Sequence, residues 1–507
     1  MKASQGPRAP RGSHGPWEEC PAPVRSRLAP ALCALVLLLI PLTLPGADTF
    51  DLLRLRWREM ITLGTNANRS DPLYSGWISA IESTAQNRWS TLLTDPARTR
   101  LWEDLPNLGT DSGEISATYD RIRAMALAYS VHGSALEGSA GLQAAILESL
   151  EWMDLHIYNQ ENTSQYGNFF DWQIATPLRL VDITTLMYDD LPAGRRDRYM
   201  AAVDHFIPAP VLTAANRTWI SSAIALRGIL VKDSAKITTG LAGLDGVLSY
   251  APVGDGFHTD GSFLFHDVIP YNGGYGAQLL SILTPVVELF QGSPWDPGPV
   301  AIPTLLAWVQ NSFEPFLVHG AIMQAVSGRY ASRPTDDHES GHFVLSSILR
   351  LARLAPAAEG ASLNSFVKAQ ILSDTSLDFV ANTSPPYSVW AAAVLADSSV
   401  PPAQPPVLHR RFPQMDRVVH RRQGWSMALA MSSARVANYE SIRGENLHGW
   451  YTGDGMTYLY TPDLRQYSGD FWATIDPYRM PGTTVDSTPR APGSGEAYLS
   501  GEDWVGT

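Results

Sequence analysis

Ala396-Asp-Ser-Ser-Val-Pro401-Pro402-Ala-Gln-Pro405-Pro406-Val-Leu-His-Arg-Arg-Phe-Pro413 is the stretch on which the fold turns. Five prolines in so short a run fix φ and remove amide donors, so the segment reads as an extended connector. The periodicity of the chain differs on its two sides. Upstream, Leu142, Ile146, Leu150, Met153 and Ile157 recur at three and four residues, as do Ile122, Met125 and Tyr129, the spacing of amphipathic helices. Breaks rich in Gly, Pro and Asn, at residues 106–113, 159–168 and 292–299, divide such stretches into an array of antiparallel helices. Downstream, Trp425, Met427, Leu429 and Met431 alternate with Ser426, Ala428, Ala430 and Ser432, the two-residue period of a half-buried strand. Tyr458, Leu459 and Tyr460 sit between turn residues in the same style. The expected fold is multidomain α+β, with helices over residues 48–395, a Pro-rich linker over 396–413 and the start of an antiparallel β domain over 414–507. A further candidate strand at 497–499 is followed by the end of the chain, so the β domain is expected to be incomplete.

Arg25 and Arg27 precede an apolar run over residues 28–44, and Gly46 and Ala47 follow it, the layout of a secretory signal over residues 1–47. The run is just short of a bilayer span, so export is expected, with no stable membrane insertion after cleavage. Cys20 and Cys33 both fall in this leader, which leaves the mature chain without disulfides or thiolate ligands. Removing the leader leaves 32 basic against 48 acidic residues. Such a surface is a poor partner for nucleic acid, and a site for an anion needs a local cluster of arginines and uncharged donors. Fifteen Trp and nineteen Tyr supply flat faces that suit sugar rings as well as cores. The secreted protein is read as a monomer.

Asp255-Gly-Phe-His-Thr-Asp-Gly-Ser-Phe-Leu-Phe-His266 and the following Asp-Val-Ile-Pro-Tyr271-Asn-Gly-Gly-Tyr275-Gly form a loop too rich in glycine for a continuous helix. Polar rings gathered in such a loop mark His266 and Tyr275 as candidate acid–base groups, although each singly suits a structural role. Asn216, in Thr213-Ala-Ala-Asn216-Arg-Thr-Trp219, is a cap, a turn residue or a glycosylation acceptor. Arg329 and Arg333 lie four residues apart, so one helical turn would point both at the same anion, although taken alone they suit surface salt bridges better. Asn168-Phe169-Phe170-Asp171-Trp172 places an amide beside rings that serve either a core or a sugar-stacking wall.

Together these stretches resemble polysaccharide lyase family 8, the hyaluronate, chondroitin AC and xanthan lyases. The resemblance covers nearly the whole mature chain. It is strongest in Arg443-Gly-Glu445-Asn446-Leu-His-Gly-Trp450-Tyr-Thr-Gly-Asp454-Gly-Met-Thr-Tyr-Leu-Tyr460 and in Asp476-Pro-Tyr-Arg-Met-Pro-Gly-Thr-Thr484. It implies an incomplete α/α toroid of paired helices followed by an antiparallel β-sandwich. It also implies a catalytic Asn216, His266, Tyr275 and Arg329, with Glu445 the acidic member from the β domain. Arg333, Asn446, Asn168, Phe169, Phe170 and Trp172 would meet the substrate, an acidic polysaccharide. The family's aromatic patch reads Asn followed by two Trp, and Phe169-Phe170 here keeps an apolar wall without the indole donors.

β-Elimination across C4 and C5 of a uronate needs the neighbouring carboxylate neutralised, the C5 proton removed and the departing oxygen protonated. Asn216, with His266 nearby, suits the first task as a preorganised donor. In a syn elimination one group reaches both remaining atoms, and Tyr275 fits, with Arg329 beside it to stabilise the phenolate. His266 is the alternative base, with Tyr275 as acid only. No metal or other cofactor is needed. A glycan on the Asn216 sequon would block this site, so the scheme requires synthesis where sequons stay unmodified, as in bacterial export. Two other readings stand beside it. One is a glycoside hydrolase using carboxylates such as Asp255, Asp260 and Asp267, and the other is a carbohydrate-binding fragment without catalysis.

Overall fold

The computed structural model describes residues 47–485 except 443 and 484. The expected leader up to residue 46, both cysteines and the candidate strand at 497–499 lie outside the described residues. Twelve helices run in succession before the connector: α1 (Thr49–Thr62), α2 (Pro72–Ser90), α3 (Ser112–Ser130), α4 (Ala140–His156), α5 (Thr176–Leu186), α6 (Ala193–Phe206), α7 (Ala214–Leu230), α8 (Ser234–Leu248), α9 (Ala277–Phe290), α10 (Gly298–Trp308), α11 (Asp337–Leu354) and α12 (Ala357–Ser373). Short helices α13 (Phe379–Asn382) and α14 (Tyr387–Ala396) follow. Asp48, Asp71, Asp111, Ser139, Asp233 and Asp336 start their helices by accepting a first-turn amide hydrogen.

Helices α3, α5, α7, α9 and α11 pack on one another in that order, and each carries flanking partners: α2 and α4, α6, α8, α10 and α12. This is the incomplete toroid of paired helices. Helix α7, in the middle of the inner row, is apolar or small on nearly every face because it is covered on nearly every face, with thirteen of its seventeen residues buried against two of nineteen in the flanking α2. Helix α8 approaches α7 closely. A β-carbon at Gly240 would stand 2.6 Å from the Ala225 nitrogen and the Ser221 carbonyl oxygen, so this position needs glycine.

Within the glycine-rich loop, β1 (Gly256–Phe257), β2 (Phe263–Phe265) and β3 (Ile269–Pro270) form a small antiparallel sheet, and β4 (Leu317–Val318) pairs with β5 (Ala321–Ile322). Past the connector, β6 (Leu408–Phe412), β7 (Arg417–Arg422), β8 (Trp425–Ala430) and β9 (Met456–Tyr460) make an antiparallel meander in sequence order. The alternation in β8 is present, and its buried side is the small one. Ser426, Ala428 and Ala430 are covered while Trp425, Met427 and Leu429 face outward. The cause is what the sheet meets. It lies against the turn Gln324–Val326, and Arg417, paired with Ala430 on the same face, donates to the Ala325 carbonyl at 2.7 Å. Only short side chains leave room for that contact. Arg421 likewise donates to the Glu314 carbonyl at 2.9 Å, and Phe412 packs on Phe316, so one core runs from helices into sheet.

Candidate active site

Tyr275 sits in a π-helical turn, Asn272–Gly276, that leads into α9. Such a turn displaces one residue from the regular ladder and is common where a side chain must be re-aimed. Two glycines clear space around the neighbouring Tyr271: a β-carbon would stand 2.5 Å from its ring at Gly274 and 2.2 Å from it at Gly328. His266 follows β2 with φ +50°, a left-handed conformation that costs a histidine about 1 kcal/mol and turns the ring beside Tyr275, at 5.5 Å between centroids.

Arg329, on the turn Gly328–Ser332, organises this group. Its Nε donates to Glu445 at 2.7 Å, its Nη1 to Glu440 at 2.8 Å and to the Tyr271 hydroxyl at 3.1 Å, and its Nη2 to the Tyr275 hydroxyl at 2.9 Å. Arg333 donates to Glu445 through Nε at 3.1 Å and lies 3.5 Å over the Tyr330 ring. Burial alone would depress the Arg329 pKa, but the Tyr271 oxygen and Glu440 raise it, so the guanidinium stays charged.

Glu440 is the residue that sequence reasoning missed. It has no exposed surface, and it accepts hydrogen bonds from His266 Nδ1, the Tyr271 hydroxyl and Arg329. Burial pushes its pKa up, but the bond from His266 and the charge of Arg329 outweigh this and hold it below the usual range. An ionised carboxylate only accepts, so Nδ1 of His266 carries the hydrogen. Nε2 has no partner among the described residues. Tyr271, a phenol kept neutral by burial and by Glu440, was read only as part of the loop. The sole sequence signal for Glu440 was a carboxylate five residues before Glu445.

Asn216 lies in the first turn of α7, half-buried, with its side-chain amide unpartnered among the described residues. Asp255 ties this helix start to the histidine loop by accepting from Thr213 Oγ1 at 2.6 Å and from the Asp267 amide at 2.7 Å. Trp219, one turn along the same face, meets Phe170 edge-on at 5.9 Å. Phe169 beside it is 44% exposed, so a ring wall flanks the asparagine. Asn168 uses Oδ1 to accept the Phe170 amide at 3.2 Å.

One expected substrate contact is corrected. Trp172 is 0% exposed and packed among Tyr158, Tyr166 and Phe206, so it has no face to offer a sugar. Asn446 donates one amide hydrogen to the Glu440 main-chain carbonyl at 2.8 Å, which fixes its side chain beside that acid. Two of the three acids offered for hydrolysis are also engaged. Asp255 is the tie just described, and Asp260 accepts from Ser262 and from the Gln414 amide.

The comparisons with known proteins agree with this architecture. Residues 57–369 match the N terminal alpha-helical domain of polysaccharide lyase family 8, and residues 407–507 match its super-sandwich domain. A xanthan lyase of Bacillus sp. (strain GL1) is 39% identical over 445 residues, covering 87% of this chain and 48% of that protein. A hyaluronate lyase of Thermasporomyces composti is 36% identical, covering 92% of this chain and 60% of that one. Among solved structures, Paenibacillus xanthan lyase superposes with a TM-score of 0.83 at 42% identity, covering 89% of this chain and 44% of that one. The Streptomyces coelicolor A3 chondroitin AC lyase in complex with chondroitin sulphate gives 0.82 at 34%, covering 88% and 62%. The chain spans about half the length of the curated relatives it matches. It belongs to polysaccharide lyase family 8.

Proposed function

We propose, with that membership as the premise, that the chain is an exported, monomeric lyase that cleaves an acidic polysaccharide at a uronate by β-elimination. Xanthan, hyaluronan and chondroitin, the polymers named for its relatives, are the substrate class. The observation that carries this reading is the Arg329 fork. Two nitrogens are pinned on Glu445 and Glu440, and the third donates to the Tyr275 oxygen. A bond from a fixed cation strengthens as that oxygen becomes phenolate, so the charge of the base form is supported before substrate arrives.

In the scheme, Asn216 donates to the uronate carboxylate and neutralises it, with His266 Nε2 as its neighbour. Tyr275 removes the C5 proton and returns one to the departing C4 oxygen, since both lie on one face in a syn elimination. Glu440 orients His266, and Arg333 with Glu445 borders the anion site. Phe169, Phe170 and Trp219 supply the wall against which a sugar packs.

The test is to incubate the chain with xanthan, hyaluronan and chondroitin and follow the ultraviolet absorbance of an unsaturated uronate. A lyase produces the chromophore, and Asn216→Ala abolishes it while the circular dichroism spectrum stays unchanged. Reducing ends without the chromophore would identify a hydrolase, and neither signal would identify a binding protein.

A further inference from the structure

Where the connector crosses α12, the structure forms a half-open pocket of about 240 Å³ that shares no residue with the proposed reacting centre. The roof is the Pro-rich segment, held down by the Ala403 amide on the Ser365 carbonyl at 3.0 Å and by Lys368 Nζ on the Asp397 carbonyl at 2.7 Å. The walls are mainly apolar, among them Phe366, Pro402 and Pro405. Five polar side chains line the cavity, Ser373 and Gln404 among them, and three bear on its chemistry: Arg421 from β7, Gln370 from α12 and His319 from the β4–β5 turn.

Arg421 is the unusual member. It is 4% exposed, yet one guanidinium nitrogen alone has a hydrogen-bond partner, the Glu314 carbonyl oxygen at 2.9 Å. No carboxylate lies within 4.0 Å of it among the described residues. An enclosed cation without an anion is costly, and a protein retains one where an anion completes it. Burial does press the Arg421 pKa down, to about 10, which still leaves it charged at neutral pH. Glu314, pushed up to about 7 by its own burial, is only a partial counter-charge. Gln370 is 6% exposed and spends its oxygen on the Gly320 amide, so its Nε2 donor has no partner among the described residues. His319 has no side-chain partner among them either.

We infer that this cavity binds a ring-sized organic carboxylate, its anionic group on Arg421 and Gln370 Nε2 and its ring against Phe366 and the connector prolines. The size fits that class. The volume equals about eight waters at roughly 30 Å³ each, and it falls below the roughly 300 Å³ at which pockets for larger ligands begin. A bare inorganic anion would leave the apolar walls unused, and a neutral ring would leave the cation unpaired.

Calorimetric titration of the full chain with glucuronate, benzoate, glucose and sulfate tests this. Glucuronate or benzoate binds, which separates a sugar acid from an aromatic acid as the source, and glucose and sulfate bind at least tenfold more weakly. Arg421→Gln weakens the carboxylate at least tenfold. Ala369→Phe, which fills the cavity while keeping the charge, does the same and serves if Arg421→Gln fails to fold. Absence of binding by both carboxylates, sulfate binding as tightly as either, or binding that survives Ala369→Phe overturns the inference.

Discussion

His266 and His338 each set a ring nitrogen on an enclosed carboxylate, Glu440 in one case and Asp374 in the other. They differ at the second nitrogen. His338 is 1% exposed and its Nε2 lies 2.7 Å from the Leu464 carbonyl, while His342 adds a further bond to Asp374. A carbonyl and a carboxylate both accept, so the His338 ring donates at both ends and is an imidazolium. Burial would depress its pKa, but these two acceptors push it up to about 9. His266 has a side chain 28% exposed and keeps Nε2 open. The same histidine–carboxylate unit is a structural clamp when both nitrogens are spent and a candidate proton-transfer group when one is free.

The contrast breaks most directly by deletion. His266→Ala is expected to lower turnover about 100- to 10,000-fold while moving stability by about 1 kcal/mol, read from initial rates and a urea titration. If Tyr275→Phe proves the milder change, the base is His266. His338→Ala is expected to do the reverse, costing about 1 to 3 kcal/mol of stability with turnover of the folded fraction retained, because it leaves Asp374 with His342 as its one ring partner and the Leu464 carbonyl without its donor. Loss of turnover at full stability would make His338 a functional group after all.

The next effect is a pH profile. The folded pKa of His338 lies above its ordinary 6.5, so its contribution is complete below about 6.5 and is lost as pH rises through about 9. Asp374 runs the other way. Its two histidines hold it below the ordinary carboxylate range despite burial, so its contribution is present above about 4 and lost on acidification. The unfolding free energy from urea titrations should therefore fall between pH 6.5 and 9 by up to about 3 kcal/mol, and the slope should vanish in His338→Ala. The smallest effect concerns the more exposed acid of the site. Glu445→Gln leaves Arg329 on Glu440 and should lower kcat/KM by about fivefold, the worth of a partly solvated pair.

Much of this was legible in the sequence because it is written in local patterns. The three- and four-residue spacing from Leu142 to Met153 is α4, and the alternation from Trp425 is β8. His266 and Tyr275 announced themselves as polar rings among glycines. What stayed hidden depends on partners far along the chain. Nothing near Glu440 reveals that it meets His266 across 174 positions. Phe169 and Trp172 stand three apart, and composition alone would bury either ring; the turn Asp171–Ala175 decides that Trp172 goes inward. Alternation in β8 fixes two faces but not which is covered, and Arg417 with the turn at 324–326 decides for the small one.

The Arg329 fork also sets an order in time. Tyr275 and Arg329 are synthesised early, but the two carboxylates that pin the guanidinium arrive 111 and 116 positions after it. A ribosome-bound chain shorter than that holds the acid–base groups without their counter-charges. The proposed reacting centre therefore comes into being only once residues 440–445 have been made and docked on the helical region.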